Sequence, residues 1–458
     1  MNIQLSDHFT YRKLLRFTLP SIGMMVFTSV YFVVDGYFVS NYTGKTAYAA
    51  LNFIYPVIMI LGALGTMLGT GGCALVAKTL GEGKPEKANK LFSMFVYITI
   101  AAGIIFTIVG YFLLPSIAQA LGATGDMLKY CISYGRIVLM SMVGLLLQYE
   151  FQSFFVVAEK PQLGFVTTVV SGCTNMVFDW LFVAIFRWGL EGAAVATVMS
   201  ELVGGFIPFF YFLSSKNNSL LKLGRFELDW KALVKACGNG SSEFLSTVSS
   251  SLVGILFNVQ LMKFAGENGV AAYGTMTYVV LVFIGIFIGY SIGTAPIVSY
   301  NFGAGNTKEL AALLKKSLIL VVGGGLFMVL AGEIFSKPLT LIFVSYDPEL
   351  VEMTLRGFFF YSFSFCFSGF AIYCSSFFTA LNNGVVSAII STCRTLIFQV
   401  IFVLILPIFW GLDGIWLSIV FSEFTSAALG AFFLITQRKR YGYFCAETSK
   451  PDALRLRA

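Results

Sequence analysis

Charge is scarce in this chain. Aspartate, glutamate, lysine and arginine make up only 12% of the 458 residues, against 57% hydrophobic residues and a mean hydropathy of +0.82. A soluble domain of this size needs a largely polar surface to stay dispersed, so this composition excludes one. Histidine occurs once, at His8 in the N-terminal arm, and the eight cysteines are scattered with no CxxC. Metal-ligand clusters and redox pairs need close Cys/His spacing, so neither is expected. No Walker motif occurs, so ATP does not drive the protein directly. The short alternating segments of a transmembrane β-barrel are missing too. The net charge of +7 would suit nucleic acid. However, the lysines and arginines gather in short loops between apolar blocks, which is a topology signal and not a phosphate-binding face.

What the chain does have is apolar sequence in blocks of twenty residues or more, the length that crosses a hydrocarbon core roughly 30 Å thick. Spans are expected at 17–39, 48–77, 91–114, 127–157, 163–186 and 193–213. Six more follow at 241–264, 271–300, 311–335, 349–380, 385–408 and 415–436. Each should be helical, because lipid offers backbone groups no hydrogen-bond partner. Met1–Tyr11 is polar and the first apolar run is too long for the h-region of a cleaved signal peptide. Basic residues collect on one side: Arg12, Lys13 and Arg16, the loop 78–90, Lys160, the stretch 216–235, the loop 308–316 and the tail from Arg438. The loops of the other side hold Lys45, Lys129, Arg187, Lys263 and Lys337. This asymmetry places both termini in the cytoplasm. The residues after Tyr443 read as a disordered tail, with Asp452–Ala458 as an addition foreign to the native chain.

An internal repeat organises the whole. Shifted by 222 residues, Gly81-Glu82-Gly83 lands on Gly303-Ala304-Gly305, and Gly189-Leu190-Glu191-Gly192 on Gly411-Leu412-Asp413-Gly414. Ser200-Glu201 lands on Ser422-Glu423, Gly44 on Gly266 and Gly135 on Gly357. Six helices per half make parallel repeats, related by an axis along the membrane normal. The expected fold class is an all-α membrane protein with twelve transmembrane helices in two pseudo-symmetric six-helix lobes. Its expected divisions are an N-terminal lobe 1–213, a cytoplasmic linker 214–240, a C-terminal lobe 241–436 and a cytoplasmic tail 437–458. Within the linker, the amphipathic run Trp230–Lys235 is expected at the membrane interface. Duplication also occurs in channels and inert scaffolds, but buried carboxylates among twelve spans favour transport.

An ionisable group inside a span is costly enough to be a functional candidate by default. Asp35, Asp179, Glu201, Glu423, Arg394 and Glu333 qualify. Asp35 precedes the outer-side Lys45 by ten residues and Asp179 precedes Arg187 by eight, so at 1.5 Å per residue they share a depth. Asn175 is one turn from Asp179 on the same face, and Thr197 in the sixth span lies at comparable depth. Two carboxylates, an amide and a hydroxyl therefore converge in one lobe. Two carboxylates in low dielectric cannot both stay ionised alone; they share a proton or hold Na⁺ with neutral oxygens. The alternative is that Asp35 pairs with a donor and merely fixes packing. Pro20 removes a backbone donor from the first helix and supplies a bend. Shifted by 222, Asp35 falls on Phe257 (Asn258 with a one-residue gap), Asn175 on Ile397 and Asp179 on Ile401, so the coupling chemistry is expected in the N-lobe. Glu201 and Glu423 are repeat-related, which suits a shared structural bond; Glu201 also shares a face with Thr197 and could attract a cationic substrate. Arg394 is expected to pair with a C-lobe acid or carbonyls. Tyr31, Tyr134 and Gln152 are placed along the cavity, where aromatic rings accept flat cations.

Leu19-Pro20-Ser21, Val34-Asp35, Gly81-Glu82-Gly83, the stretch Asn175–Asp179 and the run Gly189–Thr197 together resemble the MATE (multidrug and toxic compound extrusion) transporters over essentially the whole chain. Within the family the chain is similar to the DinF/MepA-like bacterial branch. The resemblance implies that Asp35, Asn175, Asp179 and Thr197 match the N-lobe cation site, Pro20 the bending helix, and Tyr134 and Gln152 the cavity. Spans seven and ten hold no match for the C-lobe carboxylates of the NorM-like branch, since Glu243 lies too close to the cytoplasmic end. The expected function is a monomeric inner-membrane antiporter exporting cationic amphipathic drugs against H⁺ or Na⁺, surrounded by lipid, with no other cofactor, no nucleic-acid partner and no catalytic residues. One rival is a lipid-linked precursor flippase of the same superfamily, for which Arg394 is the one good intramembrane cation. A second is a membrane enzyme or receptor, against which the lone His8 argues.

Overall fold

The computed structural model describes residues 3–344 and 347–443, and among these the chain is nearly all helix, with no strand. The expected tail after Tyr443, including Asp452–Ala458, lies outside the described residues. In the first half the helices are α1 (Tyr11–Tyr42), α2 (Lys45–Gly81), α3 (Pro85–Ala120), α4 (Gly125–Leu139), α5 (Met142–Val157), α6 (Pro161–Asp179) and α7 (Gly189–Leu213). A π-helical turn, Trp180–Ile185, extends α6. The second half has α8 (Trp230–Gly303), α9 (Thr307–Val344), α10 (Pro348–Ser362), α11 (Phe365–Ala380), α12 (Gly384–Thr392), a π-helical turn at Cys393–Ile397, α13 (Phe398–Thr436) and the short α14 (Arg438–Tyr441). The pairs α4–α5 and α10–α11 are each one span bent by 59° and 50°. With α8 divided at Gly266 and α13 at Gly411, the described helices make twelve spans in two lobes of six.

The turns that divide those long helices show the repeat at the level of the backbone. Gly44 and Gly266 have φ of 88° and 60°, and Gly189 and Gly411 have 62° and 55°. A side chain is strained in that region, so only glycine reverses the chain there without cost. The linker is shorter than its hydropathy suggests. Asp229 caps α8, its carboxylate accepting from the Ala232 N–H at 3.0 Å. The run Trp230–Lys235 is thus the first turns of the seventh span and not a separate interfacial helix. Pro20 sits within α1, which continues as one helix past it.

The lobes meet along α1, α2 and α8, and glycines set the closeness. Gly285, Gly289 and Gly293 recur every fourth residue on one face of α8. A Cβ at Gly289 would stand 2.6 Å from the Ser21 carbonyl, and one at Gly293 would stand 3.0 Å from Thr18. Gly71 of α2 lies against the Ala236 carbonyl, Gly240 against that of Met67, and Gly81 and Gly303 against Tyr300 and Lys78. These small residues let backbones touch where lipid gives helices no hydrophobic reason to associate. All but the α1 contacts nearest the middle lie in the half that carries the basic loops. Towards the opposite end Gly36, Gly254, Gly266 and Gly274 have open space, and Tyr48 and Tyr278 meet there instead. Gly240→Val should therefore cost about 3 kcal/mol, because backbone cannot yield as a side chain would. Gly254→Ala should be neutral or gain up to about 1 kcal/mol of helix propensity. Thermal unfolding of the detergent-solubilised variants checks this, and equal unfolding temperatures would remove the seam assignment.

The segment before α1 straps the same end. Leu5 and Phe9 are fully buried. The Leu5 N–H donates to Glu159 of the N-lobe at 2.6 Å. On the C-lobe side, Glu309 accepts from the Phe9 N–H at 2.9 Å and meets His8 Nδ1 at 2.6 Å, and Lys316 donates to the Phe9 carbonyl. One short segment thus ties both lobes together.

Candidate cation site in the N-lobe

The helices of the N-lobe approach one another through small residues, which is what brings the acids together. A Cβ at Gly172 of α6 would stand 2.6 Å from the Phe27 ring and 2.9 Å from that of Tyr31, so α1 packs directly on α6. Ser171 and Ser200 each donate to the other's carbonyl, at 2.8 and 2.9 Å, and tie α6 to α7. Gly144 lets α5 approach α7, since its Cβ would meet the Glu201 carbonyl at 2.7 Å.

Asp35 projects from α1 into this packing, with its carboxyl against Asp179 and Asn175. Asp179 is fully buried at the end of α6, where the π-helical turn begins, and Asn175 is 2% exposed. Asp35 Oδ1, Asn175 Oδ1 and both Asp179 oxygens are buried without a hydrogen-bond partner. These four buried oxygens, three of them from carboxyl groups that only accept when ionised, form a donor set that a shared proton, a cation or ordered water would complete. The donor set is entirely hard oxygen, which suits Na⁺ as well as H⁺. A cavity of about 40 Å³ adjoins them, lined by Tyr31, Asp35, Tyr55, Met59, Tyr134, Gln148, Tyr149, Asn175, Thr197, Ser200 and Glu201 among others. That space admits a bare ion or a few waters and is far too small for a drug.

The other candidates take distinct places. Thr197 donates to the Ala193 carbonyl at 3.0 Å and leaves its oxygen facing the cavity, in contact with Tyr134. Glu201 accepts from Ser141 Oγ at 2.5 Å, so it fastens α7 to the bend between α4 and α5 while also lining the cavity. Gln152 lies in a small gap between α5, α6 and α7; Gln148, one turn earlier, lines both that gap and the acid cavity. Pro20 lies near the basic-loop end of α1, away from the acids. In the C-lobe, Arg394 Nε donates to both Glu423 oxygens at 3.1 and 2.9 Å, and Ser362 donates to Glu333. The position matching Asp35 holds Phe257, fully buried and stacked on Tyr273 at 5.4 Å, so no second acid site forms there.

Sequence reasoning passed over Glu150. It is fully buried in α5, with both carboxyl oxygens unpartnered and Thr99 beside it. The signal that flagged the other acids, a lone charge in an apolar run, applies to it equally. Tyr55 and Tyr149 were hidden among many aromatics, and only the packing separates them from lipid-facing rings.

Comparison with known proteins agrees with this architecture. The multidrug export protein MepA of Staphylococcus haemolyticus is 24% identical over 448 residues, covering 94% of both chains. MepA of Staphylococcus aureus is 23% identical over 344 residues, 75% of each. Among solved structures, a MATE protein in complex with MaL6 superposes with a TM-score of 0.90 at 21% identity, covering 95% of this chain and 98% of the other. The outward-facing form of a multidrug resistance MATE transporter gives 0.90 at 22%, covering 96% and 98%. A MOP superfamily transporter from Pyrococcus furiosus, described as having a binding pocket of reversed polarity, gives 0.86 at 22%, covering 95% and 97%. The MatE family model matches twice, at residues 20–181 and 244–405, once in each lobe, and the chain belongs to that family.

Proposed function

We propose that this chain is a secondary multidrug exporter that exchanges cationic amphipathic drugs for inward H⁺ or Na⁺. The observation that carries the reading is the group of orphaned oxygens on Asp35, Asn175 and Asp179. Such a group is stable only when a proton or cation is present, so its occupancy is coupled to the charge on α1. Asp35 and Asp179 take up the ion, and the Asn175 amide oxygen and Thr197 hydroxyl complete its shell. Pro20 has no N–H for the Arg16 carbonyl, so α1 can bend there when the ion changes its contacts with α6. Tyr31, Tyr134, Glu201 and the aromatic rings beside them receive the drug once the cavity widens, with Gln152 behind them. The lobes 1–213 and 241–436 are the moving bodies, joined by 214–240, whose last residues are the first turns of α8. The protein works as a monomer in a bacterial inner membrane, with both termini and the 437–458 tail cytoplasmic. Alternating access then consists of opening the glycine seam and strap at the basic-loop end while the opposite end closes. The MepA relatives, named as multidrug export proteins, support the substrate class.

The flippase reading loses its main residue, because Arg394 is held by Glu423 and is not free to bind pyrophosphate. Ethidium efflux from energised vesicles, under an imposed pH gradient and separately a Na⁺ gradient, tests the proposal. Efflux driven by one gradient names the ion. Well-folded protein that moves no dye under either gradient would overturn the function.

A further inference from the structure

A cavity of about 460 Å³ lies apart from the acid site. It lies at the basic-loop end, between the start of α1, the turn before α6 and the chain leaving α7. Arg16, Lys160 and Lys216 line it together with Phe17, Pro20 and Leu163. None of the three cations has an ion-pair partner among the described residues. The one acid in the lining is Glu159, whose Oε1 already accepts the Leu5 N–H at 2.6 Å. Three cations facing one engaged carboxylate leave an excess of positive charge around a ligand-sized space. Unpaired cations gathered around a cavity are a feature that an anion completes.

The surroundings identify the kind of anion. By hydropathy and by the basic loops, this depth is the membrane–water interface, where lipid phosphates lie. From Leu163 in the cavity wall, Val166 and Val170 continue down one side of α6 with 53% and 42% exposure, and Leu19 on α1 is 64% exposed. Polar walls above and an apolar track below match a headgroup with its chains. We infer that this cavity binds the phosphate of an anionic glycerophospholipid, with Arg16, Lys160 and Lys216 around the headgroup and the acyl chains along α6. The site lies beside Pro20, where α1 lacks a helical hydrogen bond, so the lipid would sit against a point at which that helix can bend. This inference stands on the cavity alone and does not depend on the transport reading.

The test is native mass spectrometry of the full chain titrated with phosphatidylglycerol, with phosphatidylcholine as the zwitterionic comparison. Near a membrane surface each basic side chain contributes on the order of fivefold in affinity. The triple variant Arg16→Gln, Lys160→Gln, Lys216→Gln should therefore bind phosphatidylglycerol on the order of a hundredfold more weakly. Lys216→Gln alone, on an exposed linker residue that leaves the fold intact, should lose about fivefold. Glu159→Gln, which keeps the acceptor for Leu5 and removes a negative charge, should bind more tightly. Phosphatidylcholine binding as well as phosphatidylglycerol would overturn the site, as would full binding by the single and triple variants. Glycerol 3-phosphate displacing the lipid at equal concentration would show a soluble phosphate site and overturn the lipid assignment.

Discussion

Asp35→Asn should reduce gradient-driven efflux to the level of vesicles lacking the protein, under both a pH and a Na⁺ gradient, without harming the fold. The substitution keeps the shape of the side chain but replaces an acceptor-only oxygen with an NH₂ group. That group can donate to an Asp179 oxygen in place of the proton or cation that the acid pair otherwise holds. Satisfying a buried acceptor contributes on the order of 1 kcal/mol, so the variant should unfold at the same temperature as the wild type or higher. Loss of function with gained stability is the signature of a site strained by its task. Asp179→Asn should behave in the same way, and combining the two should add little, since either alone removes the shared proton or cation. Undiminished efflux by a well-folded Asp35→Asn protein would place coupling elsewhere, and Glu150 would then be the next acid to change.

The second large effect is on stability and lies in the other lobe. Arg394 and Glu423 form an ion pair with 17% and 4% side-chain exposure, linking the π-helical turn at Cys393–Ile397 to the last span. Arg394→Met leaves the Glu423 carboxylate buried without a counter-charge, and breaking such a pair costs about 3–5 kcal/mol. Arg394→Met combined with Glu423→Leu removes both charges and should recover most of that loss, because a buried pair replaced by apolar side chains is often neutral. A double-mutant cycle read by thermal unfolding measures the coupling. Single and double variants that are equally destabilised would mean that Arg394 works through other partners. Glu243, the other acid near Arg394, is the first to consider.

The two lobes are repeats of one another, and matching positions stand in different settings. Glu201 and Glu423 occupy matching positions, yet one is held by the Ser141 hydroxyl and the other by a guanidinium. The difference suits their neighbours: Glu201 borders the N-lobe acid cavity, while the C-lobe has Phe257 and Ile401 where the N-lobe has Asp35 and Asp179.

Much of this was legible in the chain because membrane insertion leaves few alternatives. Backbone in lipid must be helical, so hydropathy located the spans, and the glycines at 44, 189, 266 and 411 marked the reversals that only glycine makes easily. A common depth for Asp35, Asn175, Asp179 and Thr197 is what helix rise predicts, and the structure brings the four side chains to one place. Sequence could not say which way each side chain turns, because rotation of a helix depends on its neighbours. Thus Gln152 lies a turn away from the cavity that Gln148 lines, and Glu150 is a buried acid with only Thr99 beside it. The pairing of Arg394 with Glu423, the glycine seam and the strap from Leu5 to Phe9 join residues tens to hundreds of positions apart. Only packing decides such contacts, since hydropathy records how deep a residue lies and not which helix it faces.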